Sequence, residues 1–140
     1  TIIFIAISFI ILSSFILYFV EYHQKYPTYA ADFWGWQYGP REIMTYFREQ
    51  KNNYDELFLP SNFNAPEIFI KFYDPNNYCN NKCKVGDMDR YDPSRKQLFA
   101  IAADEHREIH EISFLTLAIK KLIYYPNGKQ AFYIGELQKK

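Results

Sequence analysis

The first 20 positions, TIIFIAISFIILSSFILYFV, carry no charge, no Pro and no Gly, and their only strongly polar members are Thr1 and three Ser. About 20 apolar residues rising 1.5 Å each cross the roughly 30 Å hydrocarbon core of a bilayer, with every backbone polar group bonded inside the helix. Tyr18 and Tyr22 stand near the C-terminal end, where an aromatic belt is expected. Residues 1–20 are therefore predicted to form a transmembrane helix. A cleaved signal peptide would begin with Met and basic residues and end in a small-x-small site. This segment begins at Thr1 and runs into Tyr18-Phe19-Val20-Glu21. A soluble core helix apolar on every side is out of proportion to one small domain. The flank from Glu21 to Lys25 is mixed in sign, so the positive-inside rule assigns no orientation. The missing start Met suggests a piece of a longer polypeptide.

Beyond this span the pattern changes repeatedly. Residues 21–32, EYHQKYPTYAAD, read as an extended or turning juxtamembrane connector at headgroup level, because of Pro27 and its tyrosines. Gly39-Pro40 then opens a predicted amphipathic helix over 40–51, with Ile43, Met44, Tyr46 and Phe47 on one stripe and Arg41, Glu42, Arg48 and Glu49 facing water. Residues 54–59 read as a short buried strand, 65–73 as a second helix with Pro66 at its start, and 97–103 as another strand. Strand, helix and strand in that order predict a parallel pair joined by a right-handed crossover. The long connection places an insertion loop at 74–96. Leu117 to Tyr125 and Gln130 to Leu137 flank Asn127-Gly128, a hairpin signal because both turn residues tolerate positive φ. The expected fold class is α+β: an N-terminal transmembrane helix, then a domain over 33–140 built as a small mixed β-sheet with helices on one face and a C-terminal β-hairpin.

Composition narrows the function. The chain has 140 residues, 16 basic and 16 acidic, for zero formal net charge, which argues against nucleic acid as a partner. Thirteen Tyr, 13 Phe and 2 Trp make 20 % of the chain aromatic, which suits both core burial and a membrane interface.

The candidate chemistry is sparse. Cys79 and Cys83 are the only cysteines; outside the cytoplasm they could close a local disulfide, inside it they would be free thiols, and zinc would need further ligands. His106-Arg107-Glu108-Ile109-His110 differs from a zinc-protease motif, which needs Glu directly after the first His, and reads as a solvated charged turn. Asp87-Met88-Asp89 reads as a surface loop, since Tyr91 and Asp92 stand where a calcium loop needs an oxygen ligand and a Gly. Ser61, Ser94 and Ser113 have no His arrangement beside them, and neither a Gly-rich phosphate loop nor a nucleophile elbow occurs. No catalytic residue, metal ligand or cofactor site is assigned. The run Trp34-Gly35-Trp36-Gln37-Tyr38-Gly39 reads either as a sugar-stacking platform or as aromatic packing at the membrane-proximal end of the domain.

Two stretches carry a family resemblance: the apolar span followed by Tyr26-Pro27 and Trp36-Gln37-Tyr38-Gly39-Pro40-Arg41-Glu42-Ile43 with Tyr46, and Ile68-Phe69-Ile70-Lys71-Phe72-Tyr73-Asp74-Pro75 with Tyr78. Together with the Asn127-Gly128-Lys129 hairpin, they resemble the C-terminal end of polytopic GT-C glycosyltransferases of the dolichyl-phosphate-mannose mannosyltransferase type. The resemblance covers most of the chain, through diffuse aromatic and Gly/Pro positions. It implies a multi-pass cell-membrane protein that moves a sugar from a polyprenyl-phosphate donor to an acceptor outside the cytoplasm. The family's catalytic acids lie in a first external loop near the N-terminus, so no residue of this chain inherits a catalytic role. The tail would face outside the cytoplasm, in contact with membrane lipid, and would meet the sugar donor only through the missing N-terminal part. Trp34, Trp36, Tyr38 and Tyr73 are the candidates for headgroup or sugar contact. A single-pass anchored binding or scaffold protein is the alternative, and an anchored hydrolase has the least behind it.

Overall fold

The computed structural model describes residues 2–106 and 114–140, with the Trp34 side chain outside the described set. An apolar helix α1 (Ile2–Val20) runs through a π-helical turn (Glu21–Lys25) into a short α2 (Tyr26–Tyr29), so one rod extends from Ile2 to Tyr29. None of its residues is buried, and it is long and apolar enough to cross a membrane. The connector expected at 21–32 is thus mostly helix, and its local geometry explains how Pro27 is accommodated. Proline lacks an N–H and crowds the carbonyl four residues back, which breaks an ordinary helix interior. Here the wider π turn ends just before α2, and Pro27 falls in that helix's first turn, where no intrahelical donor is required.

A 3₁₀ turn (Trp34–Trp36) leads to α3 (Pro40–Gln50). Pro40, Ile43, Met44 and Phe47 of α3 are buried, spaced i, i+3, i+4, i+7 as an amphipathic helix demands. Gly39 precedes it with φ +112°, and a Cβ there would lie 2.4 Å from the Phe132 ring, so both backbone and space exclude a side chain. Next come β1 (Glu56–Leu59), α4 (Pro66–Tyr73), β2 (Cys83–Val85), a 3₁₀ turn (Met88–Arg90), β3 (Gln97–Ala102), β4 (Leu115–Tyr124) and β5 (Gln130–Lys139). The five strands form one mixed sheet in the order β2-β1-β3-β5-β4. β1 is parallel to both β2 and β3, while β3–β5 and β4–β5 are antiparallel. The fold is α+β.

The parallel pairing of β1 with β3 follows the strand–helix–strand order. The segment 74–96, expected as a simple insertion loop, instead contributes edge strand β2 and a cover for the sheet's second face. One core joins Ile43, Met44 and Phe47 to Leu57, Leu59, Leu98 and Ile134 under the helices. On the opposite face Phe58 stacks on Phe99 at 4.9 Å, beside Ile101, Leu117 and Leu137, with Met88 and Tyr91 packed against them. Burial on both faces explains why β1 and β3 are buried along their whole lengths rather than at alternate positions.

Two details of the hairpin depart from sequence expectation. Lys120 is an extra residue between the pairs Ile119–Gly135 and Lys121–Ile134, so β4 changes face there: Leu117 joins the second cluster and Ile123 the first. At the turn only Gly128 takes positive φ (+82°), with its N–H bonded to the Tyr125 carbonyl and the Tyr125 N–H bonded to the Lys129 carbonyl. This is a three-residue loop with Pro126 leading the turn and glycine at the left-handed position, rather than a two-residue turn with both residues at positive φ.

Candidate functional site

Where the rod meets the domain, aromatic rings enclose an apolar cleft of about 280 Å³. Tyr22, His23, Tyr26 and Pro27 line it from the rod, and Trp36, Tyr38 and Pro126 from the domain. Helical spacing of four stacks Tyr18, Tyr22 and Tyr26 into a ladder, with centroids 5.7 and 5.8 Å apart. The Trp36 ring stands nearly perpendicular to Tyr26 (88°, 6.0 Å) and is 53 % exposed. His23 lies against Phe19 at 4.3 Å. Tyr38 packs on Tyr125 at 5.3 Å, and burial raises its phenol pKa, so it remains a neutral hydroxyl.

Charges around the cleft are internally paired. Glu21 and Lys25 form an i, i+4 pair at 2.7 Å, and Lys129 of the hairpin reaches Asp32 after the rod. The hydrogen bond from Lys129 holds the Asp32 carboxyl below its ordinary pKa. The hairpin tip is thereby joined to the end of the rod.

Of the residues singled out from sequence, Trp36 and Tyr38 come together in this cleft. Trp34 begins the same 3₁₀ turn. Tyr73 does not join them: it ends α4, packs on the main core and meets Phe72 edge-on. Its place at the last turn of an amphipathic helix makes it a packing residue. Tyr22, Tyr26 and Pro27 were legible as interfacial residues but not as walls of a cleft, because Pro27 reads as a helix breaker. Pro126 lies far away in sequence and carries no signal of this role.

Cys79 and Cys83 form a disulfide, with Cα atoms 5.7 Å apart. It fastens the turn after α4 to β2. Asp74, itself buried, accepts hydrogen bonds from the Tyr78 and Cys79 N–H groups, and Asn77, Asn80 and Asn81 adopt the positive φ values that asparagine tolerates. Lys82 closes the segment by donating to the Lys51 and Tyr54 carbonyls. These polar residues hold a loop together and form no reactive set.

At the carboxyl ends of the parallel strands, the position where α/β sheets commonly bind ligands, Ser61 donates through both N–H and hydroxyl to Asp87, and Asn62 donates to Glu105. Burial first, then Asp87 and Asp104, raise the Glu105 pKa. Asp87 thus secures a loop, and among the described residues no group of His, Cys, Asp and Glu is arranged to hold a metal. His106 stacks on Tyr133 at 4.1 Å; Arg107 to His110 and Ser113 lie outside the described residues. At the opposite strand ends Glu56 is buried within an ion-pair network described below.

The chain matches no family model, no curated protein and no solved structure.

Proposed function

We propose that this chain is a membrane-anchored accessory domain, the last span and extracytoplasmic tail of a polytopic glycosyltransferase that uses a polyprenyl-phosphate sugar donor. The observation that carries the anchoring is the uncharged α1, with all its large apolar side chains turned outward rather than into the domain. In water such a surface is strongly unfavourable; in hydrocarbon it costs nothing. The sugar-transfer part rests on the aromatic and Gly/Pro pattern around Tyr26-Pro27, Trp36 to Ile43 and Ile68 to Pro75. The Cys79–Cys83 bridge supports an oxidising, extracytoplasmic setting for the tail. In this reading the domain carries no catalytic group, caps the membrane-embedded site and fixes its outer surface at headgroup level.

Two measurements test it. Alkaline extraction of membranes containing the intact polypeptide is expected to leave it in the pellet; release into the aqueous fraction refutes the anchor. Membranes enriched in that polypeptide are then expected to transfer labelled sugar from a polyprenyl-phosphate donor faster than control membranes. Retention without added transfer refutes the transferase and leaves the anchored scaffold.

A further inference from the structure

We propose that the aromatic cleft beside the rod takes the ammonium-bearing headgroup of a zwitterionic membrane lipid, with phosphatidylcholine as its probe. The inference rests on α1 lying across a bilayer, as proposed above. Depth is the first argument. The 19 residues of Ile2–Val20 at 1.5 Å each span about 28 Å, close to the roughly 30 Å hydrocarbon core, and the headgroup layer adds about 5–8 Å on each side. With Ile2–Val20 in the hydrocarbon, Tyr22 and Tyr26 stand about 3 and 9 Å beyond it, so the cleft they line opens at the headgroup layer.

Chemistry is the second argument. An acyl or isoprenoid chain would have to leave the hydrocarbon to reach this depth, so the group presented to the cleft is a headgroup. The perpendicular rings of Tyr26 and Trp36 form a corner, with Tyr22 and Tyr38 also lining the space. Aromatic faces carry partial negative charge and attract ammonium groups, most strongly where water is excluded. The nearby cations Lys25 and Lys129 are already engaged by Glu21 and Asp32. Both lysines are already charge-balanced, so the phosphate common to zwitterionic and anionic lipids gains little from them, and the ammonium is the group that adds contact with the ring faces. At about 280 Å³ the cleft has room for one headgroup.

The test uses the full chain in nanodiscs of equimolar phosphatidylcholine and phosphatidylglycerol, released in mild detergent and weighed with its retained lipid by native mass spectrometry. Phosphatidylcholine is expected to be retained in preference on the order of tenfold. Tyr26→Leu and Trp36→Leu are expected to abolish the preference, and Tyr26→Phe, which keeps the ring, to preserve it. Phe33→Leu, an exposed aromatic change outside the cleft, is expected to have no effect. Equal retention, a preference for phosphatidylglycerol, or an unchanged preference in Trp36→Leu overturns the proposal. Should Tyr26→Leu fail to reconstitute, Trp36→Leu decides. A chain that leaves the lipid particle refutes the membrane reading itself, whereas one that stays without discriminating refutes only the headgroup assignment.

Discussion

Replacing Glu56 by Gln tests a buried carboxylate held by two cations. Glu56 is 8 % exposed at the start of β1. Its Oε1 accepts from Lys84 Nζ at 2.7 Å and Arg95 Nη1 at 3.0 Å, and its Oε2 from Gln97 Nε2 at 2.7 Å. In Glu56→Gln the two cations lose their charged acceptor, which weakens both bonds; Lys84 and Arg95 are about half exposed, so water screens part of that loss. The third contact becomes a donor facing a donor. Gln97 cannot simply turn over, because its Oε1 accepts from the Asp92 N–H and its Nε2 also donates to the Arg90 carbonyl. One unsatisfied buried donor and two weakened bonds together give a loss of about 2–3 kcal/mol. The assay is urea unfolding of the full chain in micelles, followed by near-ultraviolet circular dichroism. The pH profile supplies the sign. The hydrogen bond from Lys84, and then that from Gln97, lower the folded-state pKa of Glu56 below its ordinary 4.5. Its stabilisation is therefore complete above that value and is lost as pH falls through the lower folded value. Glu56→Gln is expected to remove this acid-side component while lowering stability at neutral pH. A variant as stable as the parent at pH 7, or one with an unchanged acid limb, would refute the network as a source of stability.

Three further outcomes follow from local geometry. Gly39→Ala, with φ +112° and a Cβ 2.4 Å from Phe132, is expected to lose about 2–4 kcal/mol by the same assay, whereas Gly128→Ala, at φ +82° with open space around it, loses only about 1 kcal/mol; equal losses would contradict the steric account. Phe47→Ala empties a fully buried site on α3 and is expected to cost about 3–5 kcal/mol, so a loss under 1 kcal/mol would place α3 outside the core. Opening the Cys79–Cys83 bridge by the double Ala substitution removes a cross-link over a sequence separation of 4 and is expected to cost about 2 kcal/mol, with faster amide exchange in β2 than in β5; uniform exchange would disprove the bridge as the fastener of that edge.

The elements readable from sequence are those whose apolar spacing matches a single period. α3 shows i, i+3, i+4, i+7 burial, α4 begins at Pro66, and β1 and β3 are short apolar runs bounded by turn residues. β2 was not readable, because Cys83-Lys84-Val85 is too short to show alternation and becomes a strand through pairing with β1. The face change in β4 was hidden for a related reason: a bulge at Lys120 is set by the partner strand, not by local composition. The rod's passage through Pro27 ran against the usual breaker rule and depends on the π turn before it. Trp36 and Tyr38 were legible as a candidate pair, but the cleft depends on Pro126, brought there by the hairpin.

The unbroken course of the rod through Glu21–Lys25 carries its direction up to Tyr29, and the Asp32–Lys129 tie and the aromatic cleft join the head to that end. In the bilayer setting proposed above, the sheet leans with the helix that carries it. Thinning of the surrounding lipid, which makes a span lean further, would swing the far edge of the domain sideways over the membrane plane. Bilayer thickness would then set the reach of the head.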